Sequence, residues 1–506
     1  MTVTPATTPR GSSLTWLLPR LEDVVFVALF LVVVLLGPRL LNVDGDLPRH
    51  LTLGGYILDS RSIPRHDLFS HTLLGAPLTI HEWLTDVLFA LIYRAMGLDG
   101  IVLLSAVVIA LTFALLFRQA VRRSGLTLVS LALVMIAAAA SSLHWLARPH
   151  LLTMLLVVIW TGGLESLERG GRGGWWKLPL LMLVWANVHG AFVTGFVIWL
   201  AYGADYLWRR LAPSQSHPLP ADLGRQLVIV LGLSLAATLV NPSGPAVWST
   251  TFGFLGSHYL VSHTAETLPP NFHDASTWPF LLMVVLSLAI LGWSRKSVPL
   301  RSVLLLAGWT ALGLYIVRNV PLYALVAVPI LAETLAGIAP ETGGWVQRER
   351  RLATIDRALR GHLWPVAVFV AVALLFSRGV KLDLAGQGNR FDVAVFPVNA
   401  VQWLEANPPQ GQVFNDFSWG GYLLYRSWPE RRVFIDSQTD FYGEQLTRRY
   451  EQVITLAVGW EEVLASYDVG WVLMPAHSGL VERLRADPGW AVVYEDPVAA
   501  VVERSR

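Results

Sequence analysis

Long apolar runs separated by short polar stretches dominate the chain from residue 21 to residue 377. A bilayer core about 30 Å thick takes about 20 apolar residues per helix. On that measure the runs near 21–41, 99–117, 126–147, 150–165, 178–188, 190–208, 226–240, 278–294, 302–317, 320–338 and 362–377 predict about eleven crossings. The first run leads into Pro38, Arg39 and an acidic pair rather than a small-residue cleavage site, so it reads as a retained span. The segment HEWLTDVLFALIYRAMG, His81 to Gly97, resembles a further span. Crossing there would carry Arg118, Arg122 and Arg123 to the outside, so it is expected to lie along the interface, anchored by Trp83 and Tyr93.

From about residue 390 the pattern changes to an α/β order. A helix near Val398 to Ala406, a strand at GQVFND, a helix near GGYLLYR, a strand at RRVFID, helices across 443–466, and strands at VGWVLMP and WAVVYED predict a small open sheet flanked by helices. The chain therefore divides into a transmembrane part, 1–378, with a long first outer loop over 42–98, and a soluble part, 390–506. Asp416, Asp436 and Asp440 fall at or beyond strand ends, where open α/β sheets bind ligands and where turn residues also gather. There is no G-x-G-x-x-G and no phosphate loop to suggest a nucleotide.

Composition agrees with a polytopic membrane protein: 54% of the 506 residues are hydrophobic and 15% charged. The net charge of +2 is spread between apolar runs and forms no basic face, so nucleic acid is not an expected partner. The absence of cysteine excludes disulfides and thiolate metal sites. The 21 tryptophans suit interfacial anchoring.

With the N-terminus inside, the inner loops collect Arg10, Arg20, Arg118, Arg122, Arg123, Arg169, Arg172, Lys177, Arg209, Arg210, Arg225, Arg295, Lys296, Arg301 and the arginine-rich run over 348–360. Outer loops before residue 378 carry Arg39, Arg49, Arg61, Arg65, Arg94, Arg148 and Arg318, an asymmetry that favours this orientation and places the last 130 or so residues outside. The same topology puts DGD (Asp44, Asp46), HE (His81, Glu82), RPH (Arg148, His150), NVHG (His189), NPSG, HTAETLPP (Glu266) and RNVP (Arg318) at outer helix ends. Ionisable groups at membrane depth usually pair or line a cavity, so their gathering at one end predicts a single polar site.

Outside the membrane there is no ready supply of nucleotide-activated donors, so a substrate used there is expected to be activated by a lipid phosphate. Moving a sugar from that phosphate to a hydroxyl needs a carboxylate to take the proton, from Asp44 or Asp46, and cations for the departing phosphate. Arg49, Arg148 and Arg318 supply such cations. His81, Glu82, His150, His189 and Glu266 stand beside them as further substrate-binding candidates. Asp44, Asp46 and Glu82 are also a hard-oxygen set suited to a divalent cation such as Mg²⁺ or Mn²⁺. Each has a structural reading too: Asp46 as N-cap of an interfacial helix with Pro48 in its first turn, Glu82 as N-cap of the helix after it, and the arginines as headgroup ligands.

The acidic D-x-D after the first span, the long first outer loop, about eleven spans and the soluble tail resemble the GT-C superfamily of integral-membrane glycosyltransferases. DGDLPRHLTLGGYILDSRSIPRHDLFSHT, HEWL, NVHG, NPSG and NDFSWGGYLLYRSWPERRVFIDS are similar to a bacterial group within that superfamily, in which aromatic residues often stand where this chain has Leu47 and Pro48. The resemblance implies a first-loop acid acting as base or metal ligand, which points to Asp44 with Asp46 beside it. It also implies a polyprenyl-phosphate sugar as donor, a glycan, lipid or protein acceptor, and hexosyl or pentosyl transfer at a bacterial plasma membrane. Two other classes remain open. A transporter or flippase for a lipid-linked substrate would show polar residues near the midplane and helices broken in matching halves, and a non-catalytic scaffold would tolerate loss of Asp44.

Overall fold

The computed structural model describes residues 13–505 apart from 172, 213–218, 295–296 and 340–342. Arg10, Arg172, Arg295 and Lys296, assigned above to the inner side, lie outside the described residues. Each predicted apolar run is helical. The first is broken after Leu35 into Leu21–Leu35 and Gly37–Asn42, and the others include Thr127–Ser141, His150–Glu168, Lys177–Val188, Val193–Leu211, Leu223–Ala237, Trp278–Trp293, Leu300–Tyr315, Val320–Ile338 and Leu363–Ser377. Among the described residues, six helices are long and apolar enough to cross a membrane, and a seventh span results if Gly344–Ala358 and Leu363–Ser377, bent by 65°, count as one. Lys177–Val188, Leu223–Ala237 and Leu300–Tyr315 are apolar but shorter. At 1.5 Å per residue such helices reach about 18–24 Å, less than the hydrocarbon thickness. Leu200, Leu288, Trp293 and Leu363 turn apolar side chains outward, as a lipid-facing surface requires. The chain is an integral membrane protein.

The segment expected along the interface joins the span that follows it. Trp83–Ser124 is one helical element interrupted at Gly97, whose φ of 61° and ψ of −152° break the hydrogen-bond ladder at a residue without a β-carbon. Its second half packs against Leu21–Leu35, His150–Glu168 and Val320–Ile338, burying Phe30, Phe113, Phe117, Trp160 and Tyr323 completely. At the ends of the helices away from Asp44, Arg123 sits 3.5 Å from Glu165 and donates to Glu333. There too, Arg301 contacts Glu168 at 2.8 Å and Asp205 at 3.1 Å.

The tail forms a four-stranded sheet of β1 (Gln412–Asn415), β2 (Val469–Pro475), β3 (Trp490–Glu495) and β4 (Ala499–Arg504), in the order β1-β2-β4-β3. β1 and β2 are parallel, whereas β4 runs antiparallel to both β2 and β3. Strand β4 was not foreseen. The strand expected at RRVFID is instead an extended, buried segment claimed by the first loop. Val433 N–H donates to the Phe69 carbonyl at 3.0 Å and His71 N–H to the Val433 carbonyl at 3.0 Å, while the Asn415 amide bridges the backbone of Phe434 and Ile435. Loop and tail thus share backbone hydrogen bonds.

Candidate active site

Beyond Asn42 the chain turns into the helix Asp46–Ser60. The Asp44 carboxylate accepts the Asp46 N–H at 3.1 Å, which closes the turn, leaves Gly45 as the N-cap and sets Asp46 in the first turn with Pro48. Asp46 is therefore not the cap that one sequence reading made it. A β-carbon on Gly45 would run into the Ser418 carbonyl, so glycine lets the tail close against this turn. Arg148 reaches across from the segment between Thr127–Ser141 and His150–Glu168, a segment pinned by the Ala147 N–H to the Leu40 carbonyl at 2.9 Å. Its Nη1 contacts Asp44 Oδ2 at 3.0 Å and also Glu266 Oε1, and its Nη2 contacts Asp46 Oδ2. The second Glu266 oxygen faces Arg318 Nη1 at 3.6 Å. Arg318 is the most open of these groups, with 38% of its side chain exposed against 15% for Arg148.

The network continues through Arg318 Nη2, 3.5 Å from His189 Nε2. His189 packs on Thr153 through Nδ1 at 2.8 Å and lies 3.5 Å from Glu82. Glu82 is the N-cap of its helix by position, yet its side chain makes no capping bond. It faces His50 at 3.9 Å, His81 at 3.6 Å and His189 instead. His50 in turn contacts Asp86 at 2.6 Å, and His81 Nδ1 lies 3.8 Å from Asp440. Arg49 turns toward the tail, where it bonds Asp436 at 3.1 Å and the Gln438 carboxamide. His150 Nε2 donates to the His144 carbonyl at 2.5 Å.

Burial pushes the Asp44 carboxyl up to about 6 against the pull of Arg148, while 27% of its side chain stays open to solvent. Burial acts on Glu266 in the same sense, but Arg148 and Arg318 outweigh it and hold that carboxyl well below the usual range. Burial would discharge His81 and protonate Glu82, yet each stabilises the other's charge. His81 is raised to about 9 with Asp440 contributing, and Glu82 is held well below its ordinary value. Burial keeps His189 neutral, lowering it to about 3 despite Glu82. The site thus offers a carboxylate that exchanges a proton near neutral pH beside a partly open guanidinium, a pairing suited to base catalysis with an anionic leaving group.

Eight of the ten predicted residues, Asp44, Asp46, Arg148, Glu266, Arg318, His189, Glu82 and His81, form this continuous network. Arg49 and His150 flank it with other partners. His50 and Asp86 went unforeseen, although each lies four residues beyond a recognised acid, Asp46 and Glu82, and so one helical turn along. Asp44, Asp46 and Glu82, the set expected for a divalent cation, do not converge. The first two face Arg148 and the third faces histidines. Among the described residues, the one His/Asp/Glu trio with ligand atoms within 4.8 Å of one another is Glu22, Asp23 and His362, which lies outside this network.

No protein-family profile matches the sequence, and no curated protein does. Solved structures do. The archaeal oligosaccharyltransferase AglB from Archaeoglobus fulgidus, in complex with an inhibitory peptide and a dolichol-phosphate, superposes over 90% of this chain and 69% of its own with a TM-score of 0.58. The chain shares the fold of this oligosaccharyltransferase. The Archaeoglobus fulgidus oligosaccharyltransferase tethered to an acceptor peptide with the NVT sequon matches over 89% and 69%, with a TM-score of 0.51. Both are 12% identical to this chain, so the likeness is one of fold. ArnT from Cupriavidus metallidurans in the apo state aligns over 95% and 97% of the two chains at 15% identity, with a TM-score of 0.44.

Proposed function

We propose that this chain is a glycosyltransferase that moves a sugar from a polyprenyl-phosphate-linked donor to an acceptor hydroxyl at the extracytoplasmic face of a bacterial plasma membrane. The observation that carries the reading is Asp44: a partly open carboxyl raised to about 6 beside Arg148, in a chain with the fold of an oligosaccharyltransferase. Asp44 takes the proton of the acceptor hydroxyl as its oxygen bonds the anomeric carbon. The bond from that carbon to the phosphate oxygen breaks, and polyprenyl phosphate leaves with the electron pair. Arg318, with the greater exposure, binds the departing phosphate, while Arg148 orients Asp44 and adds positive charge. Attack from the face opposite the leaving group inverts the anomeric centre. Arg49 and His150 fall outside the ligand-binding set, because the first joins loop to tail and the second bonds a carbonyl. Dolichol-phosphate in the AglB structure, a lipid phosphate of the same chemical type, supports this donor class.

The same reading takes all eleven helical runs as crossings, with short helices completed by their flanking turns, the N-terminus inside and the tail outside. It divides the chain into 1–378 and 390–506, joined by a segment from 379 to 389 without regular structure. The test is release of polyprenyl phosphate from a panel of polyprenyl-phosphate sugars by purified protein in lipid, with folded Asp44→Asn beside it. Turnover of one donor and a loss of about a hundredfold or more in the variant is the expected result. No turnover of any donor despite supplied acceptors would sink the reading and favour the transporter and scaffold classes.

A further inference from the structure

Three carboxylates, Asp44 and Asp46 from one turn and Glu266 from far along the sequence, meet around one positive group, and that group is the Arg148 guanidinium. Its Nη1 is shared by Asp44 and Glu266, and its Nη2 is taken by Asp46. A hard divalent cation draws its oxygens to about 2.0–2.6 Å, so its ligand atoms crowd together. Here Asp44 and Glu266 share one nitrogen of a planar fork and Asp46 takes the other, and no three residues of this cluster offer ligand atoms that all lie within 4.8 Å of one another. A cation entering between them must expel a half-buried guanidinium that makes ion pairs with all three acids.

We propose that Arg148 is the resident cation of this site, filling the position between Asp44, Asp46 and Glu266 that a divalent metal ion would otherwise take. The backbone holds it there, since Ala147 is bonded to Leu40 just before the D-x-D turn and His150 is bonded to the His144 carbonyl just after Arg148. The substitution has a chemical consequence. A carboxylate that ligates a dication is held ionised and has little proton affinity to offer, whereas one that shares a guanidinium, with burial and then Asp46 and Glu266 acting against its charge, keeps enough to act as a base. The inference deepens the glycosyltransferase reading by making that activity insensitive to chelators, but the charge arrangement itself does not depend on it.

Mn²⁺ binding to the purified full-length protein in lipid, followed by the electron paramagnetic resonance signal of the free ion, tests the proposal without any donor or acceptor. Wild type is expected to bind no Mn²⁺ at this cluster. Arg148→Ala is expected to gain one saturable Mn²⁺ that is lost again when Asp46→Asn is added. Saturable binding by wild type that disappears in Asp46→Asn overturns the proposal, as does failure of folded Arg148→Ala to bind. Should Arg148→Ala not fold, the density of wild type in excess Mn²⁺ decides. A guanidinium between the three carboxylates sustains the proposal, and a metal peak there ends it. Failure of the glycosyltransferase reading would show separately, as absent donor turnover with the Mn²⁺ results unchanged.

Discussion

Asp44 combines two properties that rarely sit in one carboxyl group: it is crowded by protein atoms, and it touches a permanent cation. Burial is the stronger influence and lifts its proton affinity, so the base form fills as pH rises through about 6. Turnover should therefore be low in acid and climb across that value, with the acid limb of kcat/KM moving when Asp46→Asn removes a neighbouring charge. A profile flat from pH 5 to 8 would remove Asp44 from the base role. His81 makes a second pH prediction, about stability. Its value of about 9 in the folded chain exceeds the ordinary 6.5, so its stabilising contribution is complete below about pH 6.5 and lost as pH rises through about 9. Glu82, Asp440 and Asp86 face it and create the effect. The thermal midpoint should fall over that window in wild type and fall less in His81→Gln. At this scale the sequence was readable where short motifs concentrate charge near helix ends, as in DGD, HE, RPH and RNVP. His50 and Asp86 were not named as site residues because their pairing joins positions 36 residues apart.

The turn before the helix Asp46–Ser60 is where one element meets the next most tightly. Gly45 abuts the Ser418 carbonyl, and Gly421 of the helix Gly420–Ser427 abuts the Gly45 carbonyl, so two glycines let two backbones touch. A methyl at Gly45 has backbone, not a flexible side chain, in its way. Gly45→Ala should lower stability by about 1–3 kcal/mol, in the range of overpacking, and should depress activity further by shifting Asp44. Chemical denaturation and donor turnover on one preparation would separate the two effects, and an unchanged denaturation midpoint would refute the close approach. The apolar runs were legible as helices because span length and hydrophobicity are local properties. The segment at RRVFID has the composition of a strand, yet its hydrogen bonds go to Phe69, His71 and the Asn415 side chain, a competition between distant segments that local pattern does not encode.

On the scale of the whole molecule, the loop after the first helix and the tail after the last are joined by Arg49 and Asp436, both buried and 387 residues apart. Asp436 had the signature of a strand-end turn, and only the fold reveals that it neutralises an arginine of the D-x-D helix. Removing one member of such a pair leaves the other as an uncompensated buried charge, at a cost of about 3–5 kcal/mol. Asp436 keeps the Gln438 N–H at 2.8 Å, which favours the lower end for Arg49→Ala. Arg49→Met with Asp436→Asn removes both charges while keeping much of the volume, so it should recover more than half of that loss. Limited proteolysis gives the spatial readout. In Arg49→Ala the segment from 379 to 397 should be cut faster than in wild type, because the tail it tethers has lost its buried tie to the loop. Equal cleavage in both, with an unchanged denaturation midpoint, would mean that the backbone bonds of Val433 and His71 hold loop and tail together without the ion pair.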